Sequence, residues 1–124
     1  MRDTDDVTDT IWALIPAATQ WLDAANGRDE SELSYRILKV TEEAGEVASA
    51  WIGVRGQNPR KGTTHTKSDV AAELADVVIT ALVAIESLGL DARATLETTA
   101  AKVHARMTIQ DPPADTHEAA GPSA

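Results

Sequence analysis

The spacing of apolar residues along the chain predicts four helices. In the first, from about Asp5 to Asn26, apolar residues recur at the three- and four-residue spacing of one helix face. Pro16 falls inside that run, so we expect the helix either to kink there or to begin late. Asn26-Gly27 then gives a typical stop signal, because glycine readily takes the left-handed conformation that closes a helix.

The second predicted helix begins near Ser31 or Ser34 and ends near Val54. Taking about 100° per residue, it has an apolar side and an acidic side. The apolar side carries Leu33, Ile37, Val40, Ala44, Val47 and Trp51, and the opposite side carries Lys39, Glu42, Glu43 and Glu46.

The third predicted helix is the most apolar stretch of the chain. Between residues 70 and 85 only Glu73, Asp76 and Thr80 are polar. A helix that is apolar on nearly every side is expected to be buried. It is too short to span a bilayer, and its two acids lie too near its middle. A buried ionised carboxylate is tolerated only when it is paired, hydrogen-bonded or bound to a metal, so Glu73 and Asp76 are candidates for a functional site.

A basic loop precedes this helix and a glycine follows it. Loops as long as residues 55–68 are often functional. We expect Ser68 or Asp69 to cap the helix, and Leu88-Gly89 to end it. The loop contains four cations: Arg55, Arg60, Lys61 and Lys67.

The fourth predicted helix runs from about Asp91 to Met107 and has only a thin apolar stripe. Lys102 and Arg106 are four residues apart, which makes them neighbours on one side of that helix. They are candidates to contact phosphate oxygens, although a solvated helix surface explains them equally well.

Composition and charge narrow the class of protein. A chain of 124 residues suits one domain, which we place at residues 1–109, and residues 110–124 have the composition of a disordered tail. The net charge of −9 argues against a nucleic-acid binder, because no basic surface is available to neutralise phosphates. The absence of cysteine excludes disulfides and thiolate metal sites. The polar N-terminus lacks an apolar signal core, so we expect a cytoplasmic protein with no membrane partner.

Two carboxylate pairs share one geometry. Glu43 and Glu46 are three residues apart on the second helix, and Glu73 and Asp76 are three apart on the third. That spacing places both carboxylates of a pair on one side of a helix. If the two helices pack antiparallel, four carboxylates meet, and such a set of oxygen ligands suits Mg²⁺ or Mn²⁺.

Each pair also has a plainer explanation. The acidic side of the second helix is the kind of surface that water usually covers. Glu73 and Asp76 could instead pair with a Lys or Arg from another helix. The occurrence of both pairs on either side of a basic loop favours the metal site.

The same residues resemble a known enzyme family. Lys39-Val-Thr-Glu42-Glu43-Ala-Gly-Glu46, followed by Glu73-Leu-Ala-Asp76, is similar to the Glu-Glu-x-x-Glu … Glu-x-x-Asp signature of the MazG-like all-α nucleoside triphosphate pyrophosphohydrolases. Lys102-Val103-His104-Ala105-Arg106 resembles the family's Lys-Phe-x-x-Arg segment, with Val103 in place of Phe. The resemblance extends from about Arg36 to Arg106.

The resemblance implies an all-α, four-helix subunit whose bundle is completed by dimerisation, and Mg²⁺-dependent cleavage of a nucleoside triphosphate to the monophosphate and pyrophosphate. It further implies roles for individual residues: metal binding for Glu43, Glu46, Glu73 and Asp76; a further metal or the attacking water for Glu42; and phosphate binding for Lys39, Lys102 and Arg106. The catalytic residues would then be Glu42, Glu43 and Glu46.

Two other functions remain open. One is a non-catalytic helical interaction module, in which the acids pair with cations across a protein interface. The other is a regulator that binds a nucleotide without hydrolysing it. Whatever the function, the apolar third helix needs cover that the fourth helix does not offer. We therefore expect a homodimer or a higher homo-oligomer that buries parts of the second and third helices.

Overall fold

The residues that the structure describes form four helices joined by three connections. A computed structural model describes residues 4–110, with side chains from Thr10 to Ile109. The helices are α1 (Thr4–Asn26), α2 (Glu30–Arg55), α3 (Lys67–Ser87) and α4 (Ala92–Gln110). Since residues 4–110 contain no strand, the predicted all-α class is confirmed.

The described range divides into two compact units. The first contains α1, α2, α3 and the start of α4 up to Arg93, and the second begins at Ala94. Apart from Gln110, which ends α4, the tail predicted at 110–124 lies outside the described residues. The single domain proposed for residues 1–109 stays a prediction.

Helix α1 contains Pro16 in its interior. The expectation that the helix begins late because of this proline is wrong, since the chain is already helical from Thr4. Proline removes one backbone donor from a helix. Burial of the neighbouring Ile15, which is only 1% exposed, helps to offset that loss.

The caps of α2 lie close to the predicted positions. The Asp29 side chain accepts a hydrogen bond from the Glu32 backbone N–H at 2.9 Å, which satisfies one of the free donors of the first turn. Gly56 closes the other end with a φ of +61°, in the left-handed region that favours glycine.

The cap of α3 differs from the prediction. Thr66, and not Ser68 or Asp69, is the N-cap residue. Its hydroxyl accepts from the Asp69 backbone N–H at 3.3 Å, while Asp69 Oδ2 accepts from the Thr66 backbone N–H at 2.8 Å. This reciprocal pair satisfies two donors at once, which a cap at Ser68 or Asp69 does not do. The hydrogen bonds that Asp69 accepts from the Thr66 backbone and hydroxyl lower the pKa of its carboxyl.

The core of the first unit lies between α1 and the C-terminal half of α3. Ile15 packs there with Leu82, Val83 and Ala92, all of them buried. The partly buried side chains around this cluster are Trp12, Ala18, Leu22, Ile79 and Ile85. Burial of these aliphatic groups is the main force that holds α1 against α3.

A buried arginine joins the ends of three helices. Arg36 on α2 is 5% exposed, and its guanidinium donates to Asp23 Oδ1 at 2.7 Å, Ser87 Oγ at 3.2 Å and the Gly27 carbonyl at 2.9 Å. These acceptors come from the end of α1, the end of α3 and the α1–α2 turn. A buried charge satisfied in this way positions the start of α2 beside the end of α3.

Helices α2 and α3 therefore pack antiparallel. Arg36, near the start of α2, contacts Ser87 at the end of α3, whereas Gly53, near the end of α2, lies against Thr64, which precedes α3. This arrangement places the middle of α2 opposite the N-terminal half of α3.

Burial of α3 is less complete than its sequence predicts. Its buried residues lie in the C-terminal half, while Leu74 and Val78 are 50% and 54% exposed. Within one chain α3 is thus only partly covered, and the expected cover by a second copy stays a prediction. Within residues 4–110, no helix has both the length and the apolar character needed to cross a membrane.

Candidate active site

Three carboxylates gather on α2 as the sequence predicts. Glu42, Glu43 and Glu46 each offer an oxygen, and these oxygens lie within 4.8 Å of one another. Glu42 and Glu46 are exposed and Glu43 is half-buried. Exposed acidic groups of this kind are common without any ion, so this group alone does not indicate a metal site.

A second group spans two helices. Oxygens of Glu43, Glu73 and Asp76 also lie within 4.8 Å of one another. The antiparallel packing of α2 and α3 brings them together, and Glu43 belongs to both groups. The predicted meeting of the two pairs is thus found for Glu43, Glu73 and Asp76. Glu46 belongs only to the first group, which shares Glu43 with the second. Glu73 is half-buried, but Asp76 is exposed, so the expectation that Glu73 and Asp76 are both buried is wrong for Asp76.

One oxygen of Glu73 has no partner. Glu73 Oε2 is buried and makes no hydrogen bond. A buried acceptor without a partner costs free energy, roughly 1–3 kcal/mol for a neutral group and more for a charged one. Such an atom is uncommon in a folded protein and calls for a hydrogen-bond donor or a cation to satisfy it.

Protein cations do not satisfy the acids of α3. In the part of the chain with described side chains, no Lys or Arg nitrogen lies within 4.0 Å of a carboxylate oxygen of Glu73 or Asp76. The alternative in which Glu73 and Asp76 pair with a cation from another helix therefore finds no support among the described residues.

The surroundings of the half-buried Glu43 disfavour its ionised form. Its partial burial raises the pKa of its carboxyl above the ordinary value, and the neighbouring charges of Glu46 and Asp76 raise it further. A hydrogen bond with Glu46, which favours the protonated form, acts in the same direction, whereas the ammonium of Lys39 opposes it. A cation bound between these carboxylates would offset their mutual repulsion and favour the ionised form of Glu43.

Lys39 is the cation nearest these carboxylates. Its Nζ lies 3.6 Å from Glu42 Oε1 and 3.8 Å from Glu43 Oε1. Because its side chain is about half exposed, these pairs contribute little to stability. The ammonium group is therefore available to a ligand at the edge of the site.

An apolar pocket begins beside Lys39. It has a volume of about 210 Å³ and lies between α1, α2 and α3. Trp21, which is 71% exposed, lies at this pocket together with Leu22 and Ile79. Lys39 precedes Glu43 by four residues, and Thr80, also in the lining, follows Asp76 by four. The pocket is thus one helical turn from the carboxylates on both helices.

Lys102 and Arg106 lie on the part of α4 that belongs to the second unit. Both are exposed. Their predicted contact with phosphate stays a prediction.

The carboxylate groups fit a hard divalent cation. Every candidate ligand atom is a carboxylate oxygen, the donor type that Mg²⁺ and Mn²⁺ prefer. The partnerless Glu73 Oε2 is one buried atom that such an ion would satisfy. Mg²⁺ uses few protein ligands and keeps several waters, so the open side formed by Asp76 and Glu46 also suits it.

Comparisons of the chain with protein-family models, with curated proteins and with solved structures found no match. The case for a function therefore rests on the geometry of the residues themselves.

Sequence reasoning missed three features near the site. The Arg36 network was missed, although Arg36 precedes Glu43 by seven residues and so lies on the same side of α2. The pocket at Trp21 was not distinguished from core. A polar pocket that contains His65, a residue given no role from sequence, was missed as well.

Proposed function

We propose that this chain is a Mg²⁺-dependent nucleoside triphosphate pyrophosphohydrolase, which cleaves a ribo- or deoxyribonucleoside triphosphate to the monophosphate and pyrophosphate. The observation that carries the proposal is the meeting of Glu43, Glu73 and Asp76 from two helices, together with the buried Glu73 Oε2 that has no hydrogen-bond partner. An apolar pocket one turn away supports a substrate with both a charged and an apolar part.

Glu43, Glu46, Glu73 and Asp76 would hold the divalent ion. Mg²⁺, or Mn²⁺ in its place, supplies charge neutralisation for the phosphates and lowers the pKa of a bound water. Its positive charge also offsets the repulsion between the protein's carboxylates and the polyphosphate.

The chain's own carboxylates act on the attacking water. Glu42 and Glu43 lie side by side at the acidic edge of α2, with oxygens within 4.8 Å of each other. Glu42 is exposed, and its solvent-screened contact with Lys39 leaves its carboxylate able to orient a water and accept its proton. In-line attack needs that water held opposite the leaving pyrophosphate, which is a matter of position more than of covalent chemistry.

Cations and the apolar pocket bind the rest of the substrate. Lys39 Nζ, at the boundary between the carboxylates and the pocket, would bind a phosphate oxygen. Trp21 offers an exposed aromatic face on which a nucleobase can stack. Lys102 and Arg106 would add phosphate contacts, as the family resemblance implies.

Self-association is part of the proposal. Large apolar side chains are exposed on both α2 and α3, among them Leu38, Trp51, Leu74 and Val78. Exposed apolar surface of this extent marks an interaction site. We assign it to a homodimer, or a higher homo-oligomer, in which these two helices meet their copies and complete a larger helical bundle.

The same exposed residues favour one alternative, a non-catalytic interaction module. In that alternative the carboxylates face cations of a protein partner. A metal site predicts that Mg²⁺ raises the melting temperature of the purified chain, because a ligand that binds only the folded state stabilises it. A protein-binding surface predicts almost no response.

The direct test is a screen of nucleoside triphosphates for pyrophosphate and monophosphate release, with and without Mg²⁺. We expect Mg²⁺-dependent release by the natural chain. Asp76→Asn and Glu46→Gln should each lose at least about a hundredfold of the activity, since even the loss of residues that only support metal ligands typically costs 10–100-fold.

Glu30→Gln is the matched control for that screen. Glu30 is an exposed acid in the first turn of α2, away from the carboxylate groups. Full activity of Glu30→Gln with loss in the other two variants supports the site. Normal turnover by Asp76→Asn or Glu46→Gln, or nucleotide binding without any monophosphate product, would refute hydrolysis at this site.

A further inference from the structure

The loop between α2 and α3 concentrates positive charge in an acidic chain. Arg60 and Lys61 lie in the loop itself, while Arg55 ends α2 and Lys67 begins α3 at its two edges. Where side chains are described, no carboxylate oxygen lies within 4.0 Å of any of their charged nitrogens. The net charge of the chain is −9, so this loop is a local reversal of sign. Such a field attracts anions.

A polar pocket lies between this loop and the last turns of α2. Its volume is about 170 Å³. Ser49 and Gln57 line it with their polar side chains, and Lys61, Thr64 and His65 line the side formed by the loop. No lining residue is acidic. The pocket is therefore rich in hydrogen-bond donors and contains no carboxylate to repel an anion.

The pocket is held open by a fixed backbone. The Thr64 N–H donates to the Gly53 carbonyl at 3.0 Å, which draws the loop back against α2. A Cβ at Gly53 would overlap His65 Nδ1 and Thr64 Oγ1, so only glycine permits this approach. The N–H groups of Lys61 and Gly62 both donate to the Asn58 carbonyl, at 3.1 and 2.9 Å. These bonds fix the residues around the pocket before any ligand binds.

His65 is oriented by its neighbour. Thr64 Oγ1 lies 2.8 Å from His65 Nδ1. When the hydroxyl donates this hydrogen bond, the neutral ring carries its own proton on Nε2. His65, which lines the pocket together with Lys61, then offers a further donor.

The pocket lies next to the candidate active site. Ser49 and Gly53 follow Glu46 by three and seven residues, so all three share one side of α2. At the helical rise, Gly53 is about 10 Å beyond Glu46 along the axis. The apolar pocket beside Lys39 lies in the opposite direction along α2. The carboxylates are thus flanked by an apolar pocket on one side and a cationic pocket on the other.

We propose that the cationic pocket binds a phosphate oxyanion, with Lys61 as its principal charged donor. The source that suits this position is the phosphate chain of a nucleoside triphosphate beyond the bond that is cleaved, and that part rests on the proposed function. Inorganic phosphate shares the same chemistry and is the other source.

The test is titration calorimetry of the full chain with inorganic pyrophosphate in the presence of a metal chelator. We expect saturable binding that Lys61→Ala weakens about tenfold, as the loss of one hydrogen bond to a charged group predicts. Arg60→Ala is the matched control, because Arg60 is a cation of the same loop that does not line the pocket. It should weaken binding less than about twofold, because an exposed charge that does not line the pocket acts on the anion only through solvent-screened attraction. Absence of binding by the natural chain, or equal losses in the two variants, overturns the proposal.

Two further titrations identify the source. Weaker binding of a nucleoside triphosphate to Lys61→Ala, together with weak binding of inorganic phosphate to the natural chain, supports the substrate chain. If inorganic phosphate binds tightly and Lys61→Ala leaves the affinity for the triphosphate unchanged, the substrate's phosphate chain is not the source. Lys61-dependent pyrophosphate binding in a chain that hydrolyses no nucleotide supports the pocket while the proposed function fails. Hydrolysis of a nucleotide by a chain that binds no pyrophosphate at Lys61 supports the proposed function, while the proposal for the pocket fails.

Discussion

At the scale of single residues, Glu43 links the two groups of carboxylates. It shares one group with Glu42 and Glu46 on its own helix, and the other with Glu73 and Asp76 on α3. Partial burial and two like charges raise the pKa of its carboxyl. The folded chain thus holds a proton on Glu43 more tightly than the unfolded chain does, which ties stability to pH.

Glu43→Gln tests this effect without metal. Below the ordinary carboxyl pKa of 4.5, Glu43 is protonated in both states, and the substitution should change the melting temperature little. As pH rises through the interval between the unfolded and the raised folded pKa, the unfolded state loses the proton first, so the natural chain loses stability relative to the variant. At neutral pH the deficit is complete, and Glu43→Gln should melt at a higher temperature than the natural chain.

The measurement is a series of melting curves from about pH 3 to about pH 8 with a chelator present. Glu30→Gln serves as the control, and its melting temperature should follow that of the natural chain. A Glu43→Gln variant that is less stable than the natural chain at neutral pH without metal would contradict the like-charge repulsion inferred for this group.

At the scale of helices, α2 and α3 present apolar side chains that their own chain leaves uncovered. Val78 on α3 is 54% exposed, and Leu38 on α2 is 62% exposed. Burial of large aliphatic side chains contributes about 1.5–3 kcal/mol each, so their exposure in a single chain favours association.

We therefore expect a dimeric mass, or a multiple of it, by light scattering at micromolar concentration. Val78→Glu should shift the mass toward the monomer, because it places a charge in the proposed interface. Gln20→Glu, which adds a charge at an exposed position of α1, should leave the mass unchanged. A natural chain that is monomeric under these conditions would contradict the proposed assembly.

The helices themselves could be predicted from the sequence, because apolar periodicity and glycine stops are local signals. The pairing of Glu43 with Glu73 and Asp76 could be predicted too, since it needed only two helices joined by one loop. The Arg36 network could not, because Arg36 and Ser87 are 51 residues apart and nothing local links them. The partial exposure of α3 depends on which surfaces α1 and α2 cover, and that is a property of packing.

At the scale of the molecule, the charge is unevenly distributed, and one segment has the opposite sign to the chain as a whole. The chain has a net charge of −9, yet the segment from the end of α2 to the start of α3, residues 55–67, is basic and follows the carboxylates of α2. An acidic protein can bind a polyphosphate only if cations reverse the sign locally. A divalent ion at Glu43, Glu73 and Asp76, with Lys39 on one side and Lys61 on the other, provides that reversal in the function proposed here.

The measurement that tests this most directly is equilibrium binding of Mn²⁺, in the absence of nucleotide, to the natural chain and to Glu73→Gln. Saturable binding is expected, weakened at least about tenfold in Glu73→Gln, since the buried Glu73 oxygen is then no longer a carboxylate ligand. Glu30→Gln should bind as the natural chain does. Absence of saturable Mn²⁺ binding, or equal affinity in the natural chain and Glu73→Gln, would contradict a metal site between α2 and α3.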